Sequence, residues 1–394
     1  MLKNNNMINY YFIIVLIAIS QLGVTLATYR PGYYLFLIIA LVFGIYITKG
    51  YLSKKIVTPF MVVFFVSMFG LFNYIIFMSE YAIKYTGKQT LVIHFAIYIN
   101  YFIYFIIFLM SSVYTRDNNE GMVKNFVVKA IFVIFLSRFF NIVLFNDLQG
   151  DDGRYYLGFY LSLFLPLSLY LCFSLKNFIS ILNVFLCLLI TYSCFSIYFH
   201  RAILFILPFI VFLFFIFKNK ISSWLFLVGS ILILLFYTPV LIEKMDASYL
   251  YRLSYITNLS FNDGSSLNRI SRYVEIIQLL FKNPLTFLFG YSLGASETLT
   301  KIIGAHSALL GFVLDVGMIG MILYCKYILY PICKVKARSS FIAILKATFF
   351  GCLVYSVFYY SPVFPVPEVK LIDFSLLLSI IMGVLFSYGV GRRL

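Results

Sequence analysis

An all-α, polytopic membrane protein of about twelve transmembrane helices is predicted, and three observations carry that prediction. The chain has 394 residues, 63% of them hydrophobic and only 11% charged, where soluble domains carry about 25% charged residues. Its apolar stretches repeatedly reach or approach the roughly 20 residues that span a hydrocarbon core. Its Lys and Arg residues gather in the short connections between those stretches, as the cytoplasmic loops of membrane proteins do. The net charge of +16 therefore reports topology, and nucleic acid is not an expected partner.

Taken in order, apolar runs fall at roughly 8–28, 33–48, 56–79, 91–113, 124–145, 156–175, 178–199, 202–217, 221–242, 305–330, 339–360 and 371–390. Each is expected to be helical, because a segment crossing lipid has no water to satisfy its backbone and must do so within itself. The first run lacks a small-residue cleavage pattern and reads as a retained span. Starting the N-terminus inside puts fourteen basic residues on the inner side, among them Lys54, Lys55, Lys218, Lys220, Lys334 and Arg338. The short outer loops keep six: Arg30, Lys84, Lys88, Arg154, Arg201 and Lys370. That asymmetry, with an even number of spans, places both termini in the cytoplasm. Six cysteines fall within or at the ends of spans and form no C-x-x-C pair, so neither a disulfide nor a metal site is expected. With no internal repeat and no soluble segment, residues 1–394 read as one membrane domain.

The same orientation puts residues 243–304 outside. This interval is far longer than a connection needs, and long ordered loops tend to carry function. From Leu267 to Lys282 it shows helical period. Asn268, Ser271, Arg272, Glu275, Gln278 and Lys282 fall on one face, with Arg269 at its edge; Ile270, Tyr273, Val274, Ile277, Leu280 and Phe281 fall opposite. Ser265 or Ser266 is placed to cap the start, and Asn283-Pro284 ends the helix. The expectation is an amphipathic helix on the outer membrane surface or packed over the bundle.

Arginine is costly inside a bilayer and acceptable at its edge, so arginines at outer helix ends invite a phosphate or carboxylate partner. Arg154, Arg201, Arg269 and Arg272 all fall on the outer side. Each one alone could be snorkelling to headgroups; four together suit a lipid-linked diphosphate, whose oxygens take bidentate guanidinium contacts. His306, opening the tenth run, reads either as a base for an attacking hydroxyl or as a histidine bonded to a carbonyl at a helix end. Asp315, about two and a half turns later, either pairs with an arginine or caps an internal turn. The glycines between Gly290 and Gly320 match neither a dinucleotide nor a P-loop spacing. Asp151-Asp152 is not a D-x-D sugar-nucleotide motif, which disfavours a metal-dependent transferase with a soluble donor.

Arg269-x-x-x-Tyr273, Asn283-Pro284-Leu285, Gly290, His306-Ser307 and Asp315-x-Gly317-x-x-Gly320, in that order, resemble the signature of the O-antigen polymerase and O-antigen ligase superfamily. Upstream, His200-Arg201 before an apolar run and Arg154-x-x-x-Gly158 look like two further family segments. The chain departs from the pattern at Ser307, where Asn is usual, at Tyr273, where Trp is usual, and in the wider Gly290 to Gly294 spacing. The resemblance implies a GT-C-like bundle and a metal-independent glycosyltransferase without cofactor, acting on polyprenyl-diphosphate-linked oligosaccharide in a bacterial inner membrane. Carried over by position, Arg201 and Arg269 would hold the diphosphate and His306 would orient or deprotonate the acceptor hydroxyl. Arg154, Arg272 and Asp315 are the candidate substrate-binding residues. A polymerase of surface-polysaccharide repeat units is the expected member, with a chain-length regulator and a flippase as partners. The ligase that moves glycan onto lipid A core is the alternative, and a flippase of the same lipid-linked sugar is the rival from another class.

Overall fold

Among the described residues every regular element is a helix, as apolar runs without a water-facing alternation require. The computed structural model describes residues 54–77, 87–145, 159–197, 201–218, 264–299, 307–358, 363–364 and 372–390. The expected runs at 8–28, 33–48 and 221–242 lie outside the described residues; the other nine coincide with helices. Three helices there, Ile97–Asp117, Ala308–Lys334 and Ser340–Val357, are long and apolar enough to cross a membrane.

The third run is α1 (Lys54–Phe77), the fourth α2 (Gly87–Asp117) and the fifth α3 (Glu120–Phe145). The run at 156–175 is divided into a single turn, α4 (Phe159–Ser162), and α5 (Leu165–Leu175). Its break has a local cause: Pro166 stands in the first turn of α5, where a missing N–H is harmless, and disfavours helical backbone just before it. Lys176 ends α5 in the left-handed conformation, with φ of 51°. Then follow α6 (Phe178–Ile197) and α7 (Arg201–Phe217). The interval 243–304 contributes α8 (Gly264–Phe281), the short α9 (Pro284–Phe289) and the single turn α10 (Ala295–Thr298). The tenth run is α11 (Ala308–Tyr324), continued through a π-helical turn, Cys325–Leu329, into α12 (Tyr330–Lys334). That wide turn lies where the ring of Pro331 would otherwise meet the carbonyl four residues back. The chain closes with α13 (Ser340–Phe358) and α14 (Ile372–Val390).

Close backbone approach organises the bundle, since apolar side chains gain nothing by leaving lipid for one another and packing has to hold them. The longest contact runs between α2 and α14, where Gly383 sits against the Phe108 carbonyl with no room for a Cβ. The pair α7 and α13 is antiparallel: Gly351 packs on Ile206 and Ile210, while Lys346, more than a turn earlier in α13, has its Nζ 4.9 Å from the ring centroid of the later Phe217. In the pair α1 and α11, Gly70 lies by the loop bonded to Asp315, and the earlier Val66 lies by the later Gly320. These two are therefore antiparallel as well. A second, smaller apolar cluster of Tyr74, Ile276, Leu279, Leu280, Tyr291, Ala295, Leu299 and Leu314 clamps α8 and the loop after α9 onto α1 and α11. That cluster positions the candidate site.

Candidate functional site

The motif residues between Asn283 and Ser296 build one compact unit against α1, α2 and α11. Asn283 leaves α8 in an extended conformation and its side chain accepts the Leu285 N–H at 2.9 Å, capping α9, whose first residue is Pro284. Thr286 donates its hydroxyl to the Asn283 and Leu280 carbonyls at 2.7 and 3.1 Å, tying the start of α9 to the end of α8. Gly290 then turns the chain with φ of 68°. A Cβ there would lie 2.5 Å from the Asp315 carbonyl oxygen, so only glycine fits, for reasons of both dihedral and space.

From Gly290 to Ser296 the backbone runs against a break in α11. Gly317 has φ of 66° and ψ of −176°, outside helical values, in the middle of that helix. The interruption frees carbonyls that α11 would otherwise use internally: Leu314 accepts the Tyr291 N–H at 2.9 Å and Asp315 accepts the Ser292 N–H at 2.8 Å. The Asp315 side chain completes the clamp. One of its oxygens accepts the Gly294 N–H at 2.9 Å and the other the Ser296 N–H at 2.8 Å, in a fully buried position. Charge-assisted bonds of this kind are about twice as strong as neutral ones.

Polar groups from α1 and α2 answer the other side of the loop. Asn73 of α1 donates to the Gly290 carbonyl at 2.9 Å. The Tyr98 hydroxyl of α2 lies 2.6 Å from the Ser292 hydroxyl and 2.9 Å from that of Ser67, a chain of three hydroxyls linking α2, the loop and α1. Tyr291 reaches back to the Leu279 carbonyl of α8 at 3.0 Å. Sequence reasoning missed Ser67, Asn73, Tyr98 and Ser292; their one signal was being polar in or beside otherwise apolar runs.

The expected site residues distribute as follows. Arg201 is the first residue of α7, and Arg269 lies in the first half of α8. Arg272, on the inward side of α8, is 6% exposed. Arg154 and His306 lie outside the described residues. The residue after His306, Ser307, caps α11 by accepting the Leu310 N–H, and its hydroxyl lies 3.5 Å from the Ser356 carbonyl near the end of α13. Because α7 is antiparallel to α13, its Arg201 end lies toward that same end of α13. The small turn α4 is there too, with Tyr160 ring to ring with Tyr355 at 5.8 Å. Asp315, a candidate for substrate binding or for capping, is engaged through both oxygens by the loop.

The face of α8 turned inward differs from the one periodicity selects. Arg272, Ile276, Leu279 and Leu280 are buried, whereas Ile270, Val274, Ile277 and Phe281 are exposed. The reason is that the helix has three sectors rather than two: one against the protein, an apolar one turned away, and a polar one holding Ser271, Gln278 and Lys282. Among the described residues no group of three or more His, Cys, Asp or Glu side chains could hold a metal ion. No family model matches the chain, and neither a curated protein nor a solved structure does.

Proposed function

We propose that this protein is a metal-independent glycosyltransferase of the O-antigen polymerase kind, joining polyprenyl-diphosphate-linked oligosaccharide repeat units at the outer face of a bacterial inner membrane. The observation that carries the reading is the convergence of its arginine-bearing elements. Arg201 opens α7, Arg269 and Arg272 ride on α8, and Ser307 opens α11. The ends of α7 and α11 meet the same end of α13, and α8 packs on α11. A diphosphate entering at that end would approach arginine-bearing elements from separate parts of the chain, which supports the reading because a charged leaving group is stabilised by guanidinium contacts.

In this reading the twelve spans leave 243–304 outside, with both termini in the cytoplasm. The acceptor hydroxyl oxygen bonds to the anomeric carbon of the donor sugar as the bond from that carbon to the diphosphate oxygen breaks. His306 takes the hydroxyl proton, and Arg201 and Arg269 hold the charge that stays on the diphosphate. Asp315 acts at one remove, fixing the loop that joins α8 to α11. Transfer to lipid A core by the same chemistry is the ligase alternative. A flippase is favoured by one specific observation, the break of α11 at Gly317, since discontinuous helices line transporter sites.

Arg269→Ala, at unchanged protein level, distinguishes these. Loss of long chains with single-repeat glycan still attached is expected for the polymerase. Loss of every attached form would mean a ligase, and lipid-linked repeat units stranded on the cytoplasmic face would mean a flippase. An unchanged chain-length ladder would remove Arg269 from the reaction altogether.

A further inference from the structure

Three helices measure how deep the loop after α9 sits. On α1 it meets Gly70, whose Cβ position would be 2.5 Å from the Ser292 nitrogen; Gly70 lies about two turns, roughly 10 Å, from the Phe77 end. On α11 it meets Asp315 and Gly317, roughly 10–14 Å beyond the start at Ala308. On α2 it meets Tyr98, roughly 16 Å from the start at Gly87. The antiparallel arrangement of α1 and α11 puts their Phe77 and Ala308 ends on one side, so the depths agree. In a hydrocarbon core about 30 Å thick, this irregular stretch lies well below the surface.

Irregular backbone survives at such depth only where the protein satisfies it. Here it does: Leu314 and Asp315 accept the N–H groups of Tyr291, Ser292, Gly294 and Ser296, and Asn73 donates to Gly290. The outward surface of the same unit is apolar. Ile270, Val274, Ile277 and Phe281 recur at helical spacing on α8, continued by Leu285 and Leu288 on α9, each 38–68% exposed. This strip runs into the exposed aromatic side of α1, for Phe289 and Phe69 lie ring to ring at 5.9 Å, and Phe69 is itself exposed.

We propose that Gly264–Thr298 is a re-entrant membrane element: α8 lies in the interface with its apolar strip in acyl chains, and α9 with the following loop dips into the bundle and returns on the same side. The occupant of the strip is the lipid bilayer, because the strip is continuous with the outward side of a membrane helix and its polar neighbours Ser271, Gln278 and Lys282 form a separate sector facing water. The inference rests on the bilayer placement and not on the reaction.

The chain has a single tryptophan, Trp224, so a W224F protein accepts new tryptophans as depth probes. F281W, L288W and Q278W, each in that background and monodisperse by gel filtration, are reconstituted in phosphatidylcholine–phosphatidylglycerol vesicles with or without acyl-brominated lipid. Expected are blue-shifted emission, quenching by brominated lipid and loss of iodide quenching for F281W and L288W, with the opposite for Q278W. Iodide quenching of F281W and L288W equal to that of Q278W would make the segment an aqueous loop. Protection from both quenchers would mean that protein, this chain or a second copy, covers the strip; either result overturns the proposal. F281W, an aromatic-for-aromatic exchange, carries the same reading should L288W misfold. Because no step uses donor or acceptor, failure here leaves the Arg269→Ala outcome untouched, and the reverse holds.

Discussion

At Asp315 two backbone N–H groups, those of Gly294 and Ser296, share one carboxylate in a fully buried position. The sequence left this residue between pairing with an arginine and capping an internal turn, and the structure gives both of its oxygens to backbone N–H groups of the loop that precedes α11. Removing the acceptor leaves two buried donors unanswered, at about 1–3 kcal/mol each. Asp315→Ala is therefore expected to lower the thermal unfolding midpoint of the detergent-purified protein clearly, and Asp315→Asn, which keeps one acceptor oxygen, less. Equal melting of all three proteins would show that the clamp contributes nothing. Tyr98 is a milder case. Tyr98→Phe removes only the hydroxyl that joins Ser67 to Ser292, an effect of about 1 kcal/mol, and should fall well short of Asp315→Ala in the same measurement.

Among the elements, α11 and α8 show where periodicity succeeds and where it stops. The run that became α11 was legible as apolar and span-length, and Asp315-x-Gly317-x-x-Gly320 marked its special part. That Gly317 interrupts the helix was not legible, because a glycine in an apolar run reads equally as a site of close packing. Its left-handed φ and the backbone of Leu288 pressed against it decide the matter. Gly317→Ala is expected to cost at least about 1–3 kcal/mol, read as a lower unfolding midpoint; a wild-type midpoint would mean that α11 can close over the gap. For α8 the period of 3.6 was right and the helix exists. The burial of Arg272 with Ile276 and Leu279 was not predictable, since a two-sided polar and apolar division presumes two environments, and α8 presents three sectors: one against the protein, one apolar and exposed, and one polar.

At the scale of the molecule, the described helices pair chiefly with neighbours remote in sequence: α2 with α14, α7 with α13, α1 with α11. Hydropathy delimited these helices to within a few residues but held no information on which would meet. The pairings bring the Arg201 end of α7 and the start of α11 to one end of α13, an arrangement that no local pattern in any of the three segments specifies. The proposed topology carries its own expectation. A green fluorescent protein fused after Leu394 should fluoresce and an alkaline phosphatase fused there should be inactive, while the phosphatase inserted near Asp151 should be active. Reversal of that pattern would turn 243–304 to the cytoplasm and remove the proposed donor from its reach.

From the sequence came the helical, apolar character of the chain, the approximate bounds of the described helices, and the short stretch that concentrates arginine, glycine and proline. Those properties follow from local composition and from the lipid's demand that backbone groups be satisfied internally. Tertiary structure alone decided that Asp315 serves a loop, that α11 breaks at Gly317, and that Ser67, Asn73 and Tyr98 belong to the same unit as Ser292. The physical reason is that a hydrogen bond between residues some two hundred positions apart, such as Asn73 to Gly290, leaves no periodic trace in either segment.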